Sequence, residues 1–364
     1  MFKKTDPNPQ LDIFTAPSMQ LGSRASKKYS DPNSWHNQFY SLVTTKIDEE
    51  IFKPLFPEGK KSGRPNASIR ILVAMSVLKE GFGCSDEDLF EKCEFDLLTR
   101  KALGMELLTD VTPSIDTYYL FRRRICEYQE RTGIDLMQLC FEQLAGKHVH
   151  LLKISGKCVR MDSKLIGSNI ARQSRYELIH TTLVKFLKTC TLTNLSPEQE
   201  ERAKEYLKED SSKTVYRSDS DTLQSNLARI GNFIMEMLAV FPATSPEHDL
   251  LQRLFDEQYV VMDGKAVLRD KKEVKADSLQ NPNDPDATYR AKNDQKVQGY
   301  VTNITETVEE GKPNIITSVQ VETAVFADCH FLQEAVENSE RVTDSTIEDL
   351  YADGAYQSPD NREF

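Results

Sequence analysis

Two segments far apart in the chain carry acids whose surroundings suit metal chemistry. They are Val159-Arg160-Met161-Asp162-Ser163-Lys164-Leu165-Ile166 and Asp349-Leu350-Tyr351-Ala352-Asp353-Gly354-Ala355-Tyr356. Each reads as an apolar strand that delivers an aspartate where the strand ends. Magnesium takes one or two protein carboxylates and keeps several waters, so a pair of acids is a sufficient protein contribution. Two such ions about 3.5–4 Å apart serve phosphodiester cleavage: one helps generate the attacking hydroxide and the other stabilises the leaving 3′ oxygen. The acids must sit on rigid neighbouring elements, because small displacements cost orders of magnitude in rate. The plainer reading, a turn or helix-cap role, is the commoner use of an aspartate that follows a strand.

The elements that would position these acids can be read along the chain. Residues 1–32 are rich in Pro, Ser, Lys and Asp without periodicity and read as a mobile tail. From Trp35 a helical period places Phe39, Leu42, Val43 and Ile47 on one face, with an end near Pro54. A Gly, Lys and Pro loop spans Pro57 to Pro65, and Ala67 to Phe82 is a largely buried helix. Ser85 is a suitable N-cap for Asp86-Glu87-Asp88-Leu89-Phe90, with acids in the first turn. A short helix around Leu97 to Leu103 follows, Thr112-Pro113-Ser114 opens a helix over Ile115–Tyr128, and another covers Ile134–Leu144. Short helices with brief turns suit a helix-turn-helix-like domain over 33–150.

Beyond Asp162 the chain passes through Gly167, Ser168, Asn169, Ile170 and Ala171 into a helical stretch, amphipathic over Gln173–Lys188. Residues 196–279 read as a solvated helical insertion, with helices at Pro197–Glu209, Asp221–Phe241 and Glu247–Gln258. Strand character returns in Val297–Ile304 and Ile315–Val321, a hairpin around Glu310-Gly311-Lys312-Pro313. A helix from His330 to Ser339 then leads to the strand bearing Asp353.

Charge and composition narrow the function classes. The formal net charge of -11 argues against indiscriminate DNA binding. Residues 1–160 hold 23 Lys+Arg against 21 Asp+Glu, whereas 161–364 hold 23 against 36, so the basic capacity lies in the first part. There Phe121-Arg122-Arg123-Arg124 stands out. Successive helical residues turn by about 100°, so at most two of these arginines meet phosphate together; a solvated face with internal ion pairs is the alternative. Tyr118 and Phe121, three apart, read as core rather than base-stacking groups. No apolar run reaches the roughly 18 residues of a membrane span, and no signal core opens the chain. Seven cysteines without a C-x-x-C pair fit a reduced, cytoplasmic protein, and Cys329-His330 alone is not a zinc site. Phosphate-binding glycine loops, G-x-S-x-G and H-E-x-x-H do not occur.

The segments around Asp162 and Asp353 resemble the first and second acidic positions of bacterial insertion-sequence transposases of the DDE type. The span from Leu72 to Arg124 is similar to their amino-terminal domain, with Ser85-Asp86-Glu87-Asp88-Leu89, then Pro113-Ser114-x-x-Thr117, then Phe121 to Arg124. Asp284-Pro285-Asp286-Ala287, Tyr289-Arg290-x-Lys292 and Gly299-Tyr300 also resemble the family, though on the residues alone the two Asp suit a structural turn. The resemblance implies an α/β fold, a ribonuclease-H-like mixed sheet over 151–195 and 280–364, joined to the helical domain and the insertion. It implies that Asp162 and Asp353 bind Mg²⁺ or Mn²⁺ as catalytic acids. It also implies that Arg122, Arg123, Arg124, Arg290 and Lys292 contact DNA. The partners implied are the element's terminal inverted repeats and target DNA, with a homo-oligomer at the nucleoid and no membrane. The chemistry implied is nicking that frees a 3′ hydroxyl, followed by its attack on target DNA.

The family uses a third acid, a glutamate on a later helix; Asp360 and Glu363 follow Asp353 too closely for that helix. The expectation is an incomplete site in this chain, with weak or absent strand transfer. Two rivals remain open: a non-catalytic DNA-binding protein acting as repressor or inhibitor, and a domesticated nuclease that needs no terminal repeats.

Overall fold

A computed structural model describes residues 2, 4, 20–56, 66–292 and 295–364, with the side chains of Lys292 and Gln295 outside that description. Most of the expected tail and the Pro57–Pro65 loop therefore lie outside the described residues. The architecture is mixed α/β and dominated by helix. The chain divides into two units, one of Met1–Val159, Glu306–Thr317 and Glu337–Leu350, the other of Arg160–Thr305, Ser318–Val336 and Tyr351–Phe364.

In the first unit, helices α1 (Ser23–Tyr29), α2 (Trp35–Leu42), α3 (Ile69–Phe82), α4 (Asp86–Phe95), α5 (Leu97–Leu103), α6 (Ile115–Thr132) and α7 (Leu136–Leu152) follow one another. Side-chain caps set several of the starts. Ser68, Ser85, Ser114 and Asp135 each accept a first-turn backbone N–H, and Ser85 with Asp88 completes a capping box. Leu72, Val73, Met75, Leu89, Phe121 and Cys140 meet in one apolar cluster. The helix expected to run from Trp35 to Pro54 stops at Leu42 and continues as two 3₁₀ segments, Thr44–Lys46 and Glu49–Leu55. The β-branched run Val43-Thr44-Thr45 disfavours continuation. The buried Thr44 hydroxyl instead donates to the Ala102 carbonyl at 2.7 Å.

In the second unit, α8 (Arg175–Leu187), α9 (Pro197–Lys208), α10 (Ser211–Arg217), α11 (Ser220–Val240) and α12 (Pro246–Gln258) surround an apolar core of Ile179, Leu183, Phe233, Ile234, Leu251 and Leu254. This region was expected to be wholly helical, yet it contains the antiparallel pair β2 (Tyr259–Met262) and β3 (Lys265–Leu268). Asp263 and Gly264 both take positive φ between them. Asp-Gly between apolar runs is a strong hairpin signal, and the charge of the flanking helices masked it.

The main sheet has the order β4 (Thr288–Lys292), β5 (Gln295–Thr307), β1 (Cys158–Gly167), β7 (Asp349–Tyr351), with β6 (Ile316–Thr323) also paired to β5. β4 and β5 run antiparallel with Thr288 opposite Gly299 and Arg290 opposite Val297. β1 and β5 are antiparallel as well: Ser168 N–H donates to Gln298 O at one end, and Val308 N–H to Cys158 O at the other. Helix α13 (Leu332–Thr343) precedes β7, and α14 (Pro359–Glu363) follows it.

Candidate active site

Asp162 lies in the middle of β1, not at its end, because pairing with β5 carries the strand on to Gly167. The residues after it do not enter a helix until Arg175. Alternation along the strand buries Val159 and Met161 and turns Asp162 outward. One carboxylate oxygen of Asp162 accepts the Ser163 N–H at 2.9 Å.

Asp353 stands two residues past β7 and N-caps the 3₁₀ turn Gly354–Tyr356, its Oδ1 accepting the Ala355 N–H at 2.8 Å. The cap and ligand readings are compatible here. Both carboxylates are exposed, and Oδ2 of each has no hydrogen-bond partner among the described residues.

The strand order makes β1 and β7 neighbours. Glu348 N–H and Asp349 N–H donate to the Lys157 carbonyl at 2.7 and 3.1 Å. Lys157 lies five residues before Asp162, and Glu348 five before Asp353. Further on, Tyr356 is buried.

The charges of both acids act on Tyr356. Burial pushes its phenol up to about 12, and the negative charges of Asp328, Asp162 and Asp353 add to that push. Its hydroxyl donates to Asn303 Oδ1 at 2.7 Å, Asn303 Nδ2 donates to Gln320 Oε1 at 2.9 Å, and Gln320 Nε2 to Glu334 Oε2 at 2.9 Å. Asn303, Gln320 and Asp328 were not singled out from the sequence. The available signal was an inverted strand pattern: Asn303 and Thr305 are fully buried while Ile304 between them is exposed.

Arg290 is half-buried on β4. Its guanidinium donates to the carbonyls of Ala324 and Phe326 and lies 3.6 Å from the buried Asp328 carboxylate. Lys292 closes β4, and its side chain lies outside the described residues. Asp284 accepts hydrogen bonds from the Ser168 and Tyr300 hydroxyls, tying the turn at 281–287 to the sheet. Burial and this bond push the Tyr300 phenol well above its usual range.

The three arginines of α6 diverge. Arg122 lies over the Tyr118 ring, Arg123 pairs with Glu127 at 3.6 Å, and the half-buried Arg124 lies over Phe56. Tyr118 and Phe121 are core residues. Residues 28–124 match the family model of a transposase domain (DUF772).

That match covers part of the helical region of the first unit and leaves residues 125–364 outside it. The transposase domain spans α2 to α5 and the first part of α6, and so includes all three arginines. No curated protein and no solved structure matches the chain. Among the described residues no group of three or more His, Cys, Asp or Glu is disposed to hold a metal, so a metal reading rests on the Asp162–Asp353 pair. Thiol chemistry has little support in the transposase domain, where burial pushes Cys93 up to about 12 and leaves it protonated at neutral pH. No described helix is long and apolar enough to cross a membrane.

Proposed function

We propose that this chain is a DDE-type transposase of a bacterial insertion sequence, built on a ribonuclease-H-like sheet. Asp162 and Asp353 hold Mg²⁺ or Mn²⁺, and the helical domain binds the element's terminal inverted repeats. One observation carries the reading. Two exposed aspartates, far apart in sequence, lie on β1 and just beyond its neighbour β7, both with charges that act on one buried phenol, in a chain whose residues 28–124 match a transposase domain.

The donor set fits a hard divalent ion. Each acid keeps one oxygen unspent, while the Ser163 and Ala355 N–H groups hold the other and orient the carboxylate. A bound ion would supply a hydroxide near neutral pH and stabilisation of the departing 3′ oxygen. The protein's own part is positioning: β1 and the turn after β7 present the acids, and Arg122 and Arg123 on the exposed face of α6 meet backbone phosphates. Lys292 is a further phosphate contact in this reading. Arg290, engaged with Ala324, Phe326 and Asp328, supports the loop that carries Asp328.

Gel-shift titration with duplexes carrying the element's ends, beside scrambled duplexes, tests the DNA half of the reading. Mn²⁺ titration of the wild type, Asp162→Asn and Asp353→Asn tests the metal half. End-preferring binding and Mn²⁺ affinity lost in both variants are expected. Equal affinity for scrambled duplexes overturns the transposase reading in favour of a general nuclease. Mn²⁺ binding indifferent to both substitutions leaves a DNA-binding protein without the proposed metal site.

A further inference from the structure

We propose that Tyr356 is the positioning residue of Asp353: its phenol pins the turn carrying that acid to β5, the strand paired with the β1 that carries Asp162. This inference rests on the metal-site reading above.

Asp353 leaves the sheet before it can be fixed by strand pairing, since β7 ends at Tyr351. The turn Gly354–Tyr356 is short and mostly exposed. What holds it is Tyr356, 2% exposed. The phenol donates to Asn303 on β5 at 2.7 Å, and β5 is the sheet neighbour of β1. Asn303 is held in turn by Gln320 on β6. From the other side Asn361 Nδ2 donates to the Tyr356 carbonyl and to the Cys329 carbonyl, both at 2.8 Å.

The phenol therefore ties the turn of Asp353 to the sheet that also carries Asp162. Losing its hydroxyl leaves the ring in place and the buried Asn303 oxygen without this donor. The turn is then free to shift relative to β1. Outer groups that orient metal-binding carboxylates typically change metal affinity by about 10–100-fold. Tyr356 acts through the turn and not on a carboxylate directly, so the expected loss is near the lower end, about tenfold.

The experiment is Mn²⁺ titration of the full chain as wild type, Tyr356→Phe, Asn303→Ala, the double variant of these two and Asp162→Asn, with circular dichroism and thermal melting on each. We expect Tyr356→Phe to keep the native spectrum and weaken Mn²⁺ binding about tenfold. Asn303→Ala, which removes the acceptor of the phenol, should weaken it too, and the double variant by less than the product of the two, since both act through one hydrogen bond. Asp162→Asn should abolish binding. If Asp162→Asn abolishes binding while Tyr356→Phe binds as tightly as wild type, the positioning role is wrong and the metal site stands. If Asp162→Asn binds like wild type, the metal site falls and Tyr356 loses its assigned role with it. Should Tyr356→Phe fail to fold, Asn303→Ala decides alone, and unchanged affinity there overturns the proposal.

Discussion

Gly299 on β5 faces the backbone of Ile166 on β1 so closely that an added Cβ would stand 2.2 Å from the Ile166 carbonyl oxygen. The same carbon would lie 2.6 Å from the Ser168 nitrogen, so no side-chain rotation relieves the clash. Its φ of +157° adds a conformation that other residues rarely adopt. Gly299→Ala is expected to push β5 off the strand that carries Asp162, at a cost of about 1–3 kcal/mol. Thermal melting that leaves the midpoint unchanged would contradict this close approach.

Arg122 and Arg123 are exposed, and their visible interactions are one ring contact and one exposed ion pair. Exposed pairs contribute little to stability. Replacing both by Ala should leave the melting temperature within about 1 °C while weakening binding to the element's ends. Each lost phosphate contact lowers the slope of log K against log salt by about 0.9, so the pair should lower it by nearly two. A salt series by fluorescence anisotropy measures this; an unaltered slope would reassign both residues to a solvated face.

Arg290→Ala should act on stability. It takes a guanidinium from the buried Asp328 and two donors from the Ala324 and Phe326 carbonyls. Breaking such a pair from one side costs about 3–5 kcal/mol, and the partial exposure of Arg290 favours the lower end. Urea denaturation of wild type and variant gives the figure. A stable variant with weakened end binding would return Arg290 to the DNA contacts.

His180 is expected to make the helical part of the second unit sensitive to pH. It is buried between Tyr176 and Tyr206, and its Nε2–H donates to the Tyr206 carbonyl at 3.1 Å. Burial lowers its pKa below the usual 6.5 despite the opposing charge of Glu209. The unfolded chain then binds the proton more readily than the folded one. Stability is fully present above about pH 6.5 and is lost as pH falls from there through the folded value. Melting temperatures from pH 7.5 to 5.5 should fall for the wild type and stay flatter for His180→Gln. Parallel curves would show that His180 does not govern this range.

Local patterns made much of the chain readable. Ser85 before three acids, Ser114 after a proline and the apolar period of α3 all rest on interactions within a few residues; the helices after Ser85 and Ser114 start where those signals put them, and α3 starts at Ile69, two residues past the expected Ala67. The two aspartates of the proposed site were likewise visible as Asp162 within Val159–Ile166 and Asp353 before Gly354 and Tyr356. The extent of β1 was not, because the hydrogen bond that carries it past Asp162 comes from Gln298, far along the chain.

By itself the sequence determined the residue types, the helix caps and the apolar faces, which depend on neighbours one to four positions away. Tertiary structure alone decided that β7 lies against β1, the arrangement on which the proposed pairing of Asp162 with Asp353 rests. It also decided that Asn303 is buried while Ile304 is exposed, against the ordinary preference of both. A strand's pleat allows either face inward, and the choice falls to the partners that satisfy it. Here the Tyr356 hydroxyl and the Gln320 amide pair the buried Asn303, so hydrogen bonding between distant segments outweighs the hydropathy of the strand.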